Sequence, residues 1–240
     1  MMLRSFQYDG QWNIIYYPQK PSGFSVFIIG DHHHYVKNND SFWLRHPGRL
    51  QIIEQLQQEG YTGFSSNLYG EHWGSKKAVG LAKSLYHLTM KSEILNEKIH
   101  ILAEGKGALV ALQLMQSLSS NIRSVVLLNP CLSLKANWKK EKERKVFYQP
   151  FIKGVSKAFG TSRTDLETSF DDVIDLQINT SIPIKIIHVL GNDSKEQFEL
   201  YKKVQSSNQA ETEIIYLLPE KRYKVATEVT RFFHKYESIL

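Results

Sequence analysis

Short apolar segments of strand length alternate with segments of helical spacing along most of this chain. Strands are predicted at 24–29, 61–68, 98–103 and 124–128, and helices between them at 49–59, 76–90 and 108–118. The alternation returns later, with strands at 183–190 and 213–218 and helices at 195–205 and 225–236. Such strands form parallel sheets, because each helix carries the chain back across a face of the sheet. The pattern predicts an α/β fold with a mostly parallel sheet and helices on both faces.

Two stretches, 1–17 and 133–181, depart from this alternation. The first alternates loosely around the turn pair Asp9-Gly10 and predicts a β-hairpin ahead of the parallel strands. The second breaks the α/β pattern, and we expect it to be a small lid insertion with two short helices. The 240 residues are therefore expected to form a single domain, 1–240, that carries this insertion.

Charge and cysteine content limit the environments and the partners that the chain can have. The formal net charge of +6 permits an acidic partner, and the basic stretch 135–145 with Trp138 could contact a phosphate backbone or an anionic membrane. Glu141 and Glu143 dilute that stretch, so we interpret it as a solvated face of the insertion and expect no nucleic-acid partner. Because Cys131 is the single cysteine, no intramolecular disulfide forms, and a reducing, cytoplasmic location is expected. No run of about 18 apolar residues occurs, so no transmembrane segment is expected.

The most informative motif lies between the predicted strand at 98–103 and the predicted helix at 108–118. It reads Ala103-Glu104-Gly105-Lys106-Gly107. A flexible helix start is one interpretation, and a phosphate-binding loop is another, because glycines at a helix N-terminus bind anions. Neither the Gly-x-Gly-x-x-Gly nor the Gly-x4-Gly-Lys-Ser/Thr pattern is completed, so no cofactor is expected.

The same segment resembles the nucleophile elbow of the α/β-hydrolase superfamily, a sharp strand-to-helix turn with the pattern small-x-nucleophile-x-small. The resemblance places Ala103 and Gly107 at the small positions and Gly105 at the nucleophile position. Glycine relieves the strain of this turn but has no attacking oxygen, so no acyl-enzyme can form there.

Two loops after earlier strands extend the resemblance. The sequence Gly30-Asp31-His32-His33-His34 stands where the family usually has the His-Gly pair of its oxyanion loop. The sequence Tyr69-Gly70-Glu71-His72-Trp73-Gly74-Ser75 is similar to the family's Gly-His-Gly-x-Ser loop, with one residue inserted. We expect His72 and Trp73 to be packing or rim residues.

The acid and base positions that the resemblance implies are incomplete. Gly191-Asn192-Asp193 resembles the family's Gly-x-x-Asp turn, shortened by one residue, which makes Asp193 the best match for the acid. A helix-capping aspartate is an equal alternative for Asp193. The base should be a histidine in the loop 219–224, which contains none. A Ser-His-Asp relay needs both nucleophile and base, and both are missing from their places.

Two hypotheses follow from these losses. The first is a non-catalytic pseudohydrolase that binds a small apolar or acyl ligand at the carboxyl ends of the strands, or binds a protein partner. Its pocket candidates are Asp31, His32, His72, Trp73, Glu104, Gly105, Lys106 and Asp193. The second is an esterase or other hydrolase with displaced machinery, in which Glu104 activates water and a histidine lies within reach of Glu104 or Asp193.

Metal and thiol chemistry are weaker interpretations. The run His32-His33-His34 invites a metal site, but adjacent loop residues seldom all face one ion, so no metal is expected. Cys131 follows a predicted strand without a base nearby in sequence, so we expect a structural thiol.

Overall fold

The computed structural model describes residues 2–144, 146–169, 180–191 and 195–237. Within them, eight strands form one sheet and two short strands form a separate hairpin. The strands are β1 (Met2–Tyr8), β2 (Gln11–Tyr17), β3 (Ser25–Ile29), β4 (Val36–Lys37), β5 (Asp40–Ser41), β6 (Thr62–Ser66), β7 (Ile99–Glu104), β8 (Ile122–Leu128), β9 (Ile184–Val189) and β10 (Thr212–Leu217). Across the main sheet the order is β1-β2-β6-β3-β7-β8-β9-β10.

The main sheet begins with antiparallel pairs and continues in parallel. β1 pairs with β2, and β2 with β6, in antiparallel register, and all the pairs from β6 to β10 are parallel. The tight connection between β1 and β2 is possible because Asp9 and Gly10 both adopt positive φ, at 49° and 66°. The direction of strand addition reverses at β3, since β6 lies on one side of it and β7 on the other. Ligands bind open α/β sheets beyond the carboxyl ends of the strands at such a reversal.

The described helices cover both faces of the main sheet and its carboxyl edge. They are α1 (Phe42–Arg45), α2 (Pro47–Gln58), α3 (Lys76–Ser92), α4 (Gly107–Ser117), α5 (Leu134–Glu143), α6 (Tyr148–Phe159), α7 (Arg163–Ser169), α8 (Lys195–Ser207) and α9 (Val225–His234). Helices α3, α4 and α8 contribute to the apolar core on one face, and α2 and α9 to the core on the other.

Local sequence explains where the helices flanking the site begin. Pro47 opens α2, where its fixed φ suits the first turn and no amide hydrogen is needed. The Ser75 side chain caps α3 by accepting a hydrogen bond from the backbone N–H of Ala78. These caps fix how the loops before α2 and α3 enter the carboxyl edge of the sheet.

A third apolar cluster joins the insertion to this edge. Its buried members are Trp73, Leu109, Leu134, Trp138, Phe151, Ile152, Val155 and Leu166. The cluster connects the 69–75 loop and helix α4 to α5, α6 and α7, so these three helices are anchored beside the carboxyl ends of β3 and β7.

The predicted α/β fold is confirmed, including the hairpin and the mostly parallel sheet of eight strands. Two segments differ from expectation. Residues 31–47, for which no strand or helix was predicted, contain the β4–β5 hairpin and α1. The insertion has three described helices where two were expected, because most of the charged stretch 135–145 is helical, in α5. The single domain with a lid at 133–181 stays a prediction, and part of this stretch lies outside the described residues.

Candidate functional site

The candidate site lies where the carboxyl ends of β3 and β7 meet. Ile29 pairs with Ala103 at the last register position of these two parallel strands. The residues that follow, Gly30-Asp31 and Glu104-Gly105, are therefore brought face to face. This is the point at which strand order reverses.

Gly105 occupies the sharp turn between β7 and α4 with a φ of +54°. A Cβ at this position would lie 2.5 Å from Cγ and 2.5 Å from Oδ2 of Asp31. The carboxylate of Asp31 thus occupies the space into which a nucleophile side chain at position 105 would extend. Glycine relieves the strain of this backbone conformation and leaves the space above it to the carboxylate.

Gly107 permits the close approach of α4 to β3. A Cβ on Gly107 would lie 2.4 Å from the carbonyl oxygen of Ile29 and 2.7 Å from that of Gly30. The second small position of the elbow pattern is therefore required by contact with backbone atoms, which cannot move aside.

Asp31 is held by three hydrogen bonds to a single carboxylate oxygen. Its Oδ1 accepts from the backbone N–H of Lys106 at 3.1 Å and from that of His32 at 2.7 Å, and lies 3.0 Å from Nδ1 of His32. Burial opposes its ionisation, but the hydrogen bonds from His32 and the charge of Lys106 outweigh burial and hold the pKa of this carboxyl below its ordinary value. Asp31 is therefore a carboxylate at neutral pH.

Lys106 extends from the elbow across the neighbouring aromatic residues. Its Nζ lies 3.1 Å from Nδ1 of His32 and 4.3 Å from the ring centroid of Trp73. Burial lowers the pKa of this ammonium, and the charge of Asp31 opposes that effect. Lys106 brings a positive charge to the floor of the site.

Two histidines lie beside the elbow, and the ring of each makes local contacts. His72 is buried, with Nε2 3.2 Å from the carbonyl oxygen of Gly30 and Nδ1 accepting from the N–H of Gly74 at 3.3 Å. His34 accepts from the backbone N–H of Asp31 at 3.1 Å and stacks on a neighbouring phenylalanine. Burial lowers the pKa of each imidazole to about 4, so both are neutral at pH 7.

Glu104 is buried and paired with Arg49 of α2. The Nε of Arg49 donates to Oε2 at 3.0 Å, and its Nη2 makes a second bond to Oε1. The Nδ1 of His34 lies 3.8 Å from Oε2, beyond hydrogen-bond distance. Among the described residues, no histidine completes a hydrogen bond to Glu104 of the kind that displaced hydrolase machinery would require.

The described structure brings most of the predicted site residues together. Asp31, His32, Trp73, Gly105 and Lys106 converge at the elbow. Of the other candidates, His72 and Glu104 are buried beside it, and Asp193 lies outside the described residues.

Three contributors to this site were not among the predicted pocket residues: Arg49, His34 and Cys131. The amide of Cys131 donates to the carbonyl oxygen of Gly105 at 2.8 Å, and desolvation raises the pKa of its thiol to about 11. Arg49 is 55 positions from its partner in sequence, and no motif links the two. Only the tertiary fold identifies these contributors.

A cleft of about 1340 Å³ opens above the elbow, with Asp31, Gly105, Lys106 and Cys131 among its lining residues. The described residues contain no group of three His, Cys, Asp or Glu side chains arranged to hold a metal ion. Within the same residues, no helix is both long enough and apolar enough to cross a bilayer.

Comparison with solved structures defines the class of fold. The chain superposes on Est1E from Butyrivibrio proteoclasticus with a TM-score of 0.69 at 11% identity, covering 97% of this chain and 98% of that one. An S-formylglutathione hydrolase from Agrobacterium tumefaciens gives 0.67 at 8% identity, with coverage of 98% and 94%. A laboratory-evolved variant of a potato epoxide hydrolase gives 0.65 at 12% identity, with coverage of 98% and 100%.

The fold is therefore that of the α/β hydrolases, as the elbow motif had predicted. No protein-family model matches the sequence, and no curated protein matches it either. These likenesses concern the fold, and the chemistry of this chain has to be argued from its own residues.

Proposed function

We propose that this chain is a non-catalytic member of the α/β-hydrolase fold that binds a small molecule in the cleft above its degenerate elbow. One observation carries the proposal. The carboxylate of Asp31 fills the space over Gly105 that a nucleophile side chain would occupy, and it accepts a hydrogen bond from the backbone N–H of Lys106. In this fold the amide after the nucleophile is an oxyanion donor. A fixed anion on that amide repels the negative charge that an acyl-transfer transition state develops.

The second source of oxyanion donors is also occupied. In this fold it is an N–H of the loop after the strand that corresponds to β3. Here the N–H of Asp31 is bonded to His34, and the N–H of His32 is bonded to the Asp31 carboxylate. Nucleophile and oxyanion donors are thus replaced by one internally satisfied hydrogen-bond network, which supports binding without turnover.

A second candidate function rests on the same residue. A carboxylate can itself be a nucleophile, and Asp31 is ionised at the position where a hydrolase of this fold presents its nucleophile. The named functions of the structural relatives, which include an S-formylglutathione hydrolase and an epoxide hydrolase, are compatible with this alternative. Among the described residues, His34 and His72 are poor candidates for its base, because local hydrogen bonds engage both rings and burial lowers the pKa of each imidazole to about 4.

Ester turnover separates the two functions. We would assay the purified protein against activated esters of short to long acyl chains, together with Asp31→Asn and the control Asp40→Asn. Asp40 is a carboxylate of the same loop region that pairs with Arg45. The proposal expects no turnover above buffer in any of the three samples.

Turnover by the unmodified protein that Asp31→Asn abolishes and Asp40→Asn retains would overturn the proposal in favour of the carboxylate hydrolase. Labelling by a fluorophosphonate provides a second readout, since it reports an activated serine. We expect none, and labelling of the native chain would contradict the assignment of Gly105 as the degenerate nucleophile position.

A further inference from the structure

The cleft above the elbow is strongly basic. Its lining includes six cationic side chains, Lys106, Lys135, Lys139, Lys140, Arg144 and Lys203. Its lining carboxylates are three, Asp31, Glu143 and Glu199, which leaves an excess of three positive charges. The cations come from separate elements, with Lys106 at the elbow, four on α5 and its C-terminal cap, and Lys203 on α8.

Four of the six lining cations have no carboxylate partner among the described residues. Within residues 2–144, 146–169, 180–191 and 195–237, Lys139, Lys140, Arg144 and Lys203 form no salt bridge with a carboxylate. Two of the three lining carboxylates have partners outside α5, because Asp31 is bonded at the elbow, where the charge of Lys106 stabilises it, and Glu199 pairs with Lys202. A concave surface with uncompensated charge of one sign attracts ligands of the opposite sign.

We propose that the ligand of this cleft is a small-molecule polyanion, a compound with two or more phosphate or carboxylate groups held between Lys106 and the cations of α5 and α8. The inference rests on the proposed function, because it names the class of ligand that the non-catalytic site binds. It replaces the apolar or acyl ligand expected from the sequence, since an apolar ligand would leave these charges desolvated without a partner.

The shape of the cleft favours a small molecule over a membrane or a nucleic acid. The cleft volume of about 1340 Å³ exceeds that of an ordinary ligand pocket, roughly 300–1,000 Å³, so it accommodates an extended multiply charged molecule. Lys106 lies at the elbow on the cleft floor and contacts His32 and the Trp73 ring. A bilayer surface or a nucleic-acid backbone would contact the α5 cations at the rim, so its binding would be independent of Lys106.

Direct titration of the full-length protein with pyrophosphate and with citrate tests the inference, by calorimetry at about 150 mM salt. The variants are the double change Lys139→Gln/Lys140→Gln on the cleft wall and Lys106→Met on its floor. The matched control is Lys221→Gln/Lys224→Gln, which removes the same two charges from exposed positions outside the cleft lining. Urea denaturation verifies that each variant is folded.

We expect at least one of the two anions to bind, and each cleft variant to weaken that binding about tenfold or more, the size of a lost charge-assisted hydrogen bond. The control should change the affinity less than twofold. If Lys106→Met fails to fold, the double variant on α5 decides the result alone.

Three results would overturn the inference. The first is that neither anion binds, and the second is an equal loss of affinity in the control and the α5 variant. The third is that neither small anion binds while the protein binds vesicles with about 20% phosphatidylserine, and Lys106→Met leaves that vesicle binding intact. Ester turnover would refute the non-catalytic function instead. Absence of both anion binding and turnover would therefore remove the polyanion and leave the non-catalytic assignment standing.

Discussion

Gly105 and Asp31 should behave as a coupled pair in unfolding experiments. An alanine at position 105 adopts the left-handed conformation only at a cost, and its Cβ would stand 2.5 Å from the Asp31 carboxyl carbon. The side chain of Asp31 must then leave its place and release the amides of Lys106 and His32. Removal of the Asp31 carboxylate beforehand would eliminate this conflict.

The magnitudes follow from the two contributions. The left-handed conformation costs about 1–2 kcal/mol for an alanine. The loss of the Asp31 hydrogen bonds costs about 1.5 kcal/mol, the low end for charged groups because this side chain is partly exposed. We therefore expect Gly105→Ala to cost about 2.5–3.5 kcal/mol, Asp31→Ala about 1.5 kcal/mol, and the double variant no more than Gly105→Ala alone. The coupling free energy is then about 1.5 kcal/mol.

Urea denaturation of the four proteins of this double-mutant cycle measures the coupling. The control is Gly10→Ala, a glycine of the first hairpin with a φ of +66° and no atom within 4 Å of an added Cβ. It should cost about 1–2 kcal/mol and show no coupling to Asp31→Ala. Additivity of Gly105→Ala and Asp31→Ala to within about 0.5 kcal/mol would refute the contact on which the degenerate site is argued.

Three further predictions concern close packing and buried polar groups of the main sheet. Gly107→Ala should cost about 3 kcal/mol in urea denaturation, because its Cβ would lie 2.4 Å from a backbone oxygen. The control Gly80→Ala in α3 has open space around the added Cβ and should stabilise the protein by up to about 1 kcal/mol. Similar effects at both positions would contradict the close packing of α4. Burial lowers the pKa of His100 to about 3, so below about pH 6.5 the unfolded chain binds a proton that the folded chain does not. Between pH 7.5 and 5 this difference should lower the free energy of unfolding by about 2 kcal/mol. A His100→Gln variant whose stability changes with pH as steeply as that of the unmodified protein would refute this prediction. Lys185→Met should cost about 1.5 kcal/mol in urea denaturation, the size of one charge-assisted hydrogen bond, because Glu228 and Glu213 keep Arg231 and Lys235 as partners. A loss below about 0.5 kcal/mol would show that the pairing with Lys185 contributes nothing to stability.

The main sheet was predictable because its central strands are buried on both faces. Such strands are continuous apolar runs, as in β3 and β8, and the helices between them keep a regular apolar spacing. The elements that were not predicted are either short, as in β4, β5 and α1, or highly charged, as in α5. Helix α5 has few apolar residues, and it is anchored by Leu134 and Trp138 in a cluster formed by residues distant in sequence.

The site was predictable only in part. The elbow pattern identified Gly105 as the nucleophile position, and the residues near it could be named from the loops that end β3 and β6. The sequence does not reveal that Asp31 fills the space over Gly105, since that depends on the path of the loop after β3. The bidentate pair of Arg49 with Glu104 likewise depends on where α2 docks, so the proposed water-activating role of Glu104 could be tested only against the tertiary structure.

The missing nucleophile and the altered oxyanion loop form one structural unit. A serine at position 105 would clash with Asp31, and without Asp31 the N–H of Lys106 would lose its present acceptor. Replacing either residue alone therefore costs stability, since Gly105 leaves the space that the Asp31 carboxylate needs and Asp31 accepts a hydrogen bond at the turn that Gly105 forms. Gly105→Ser by itself should still fail to create a reactive serine, because residues 219–224, where this fold places its base, contain no histidine. Lys139, Lys140 and Arg144, which also line the cleft, take no part in this pairing, and they remain available to a ligand that brings its own negative charge.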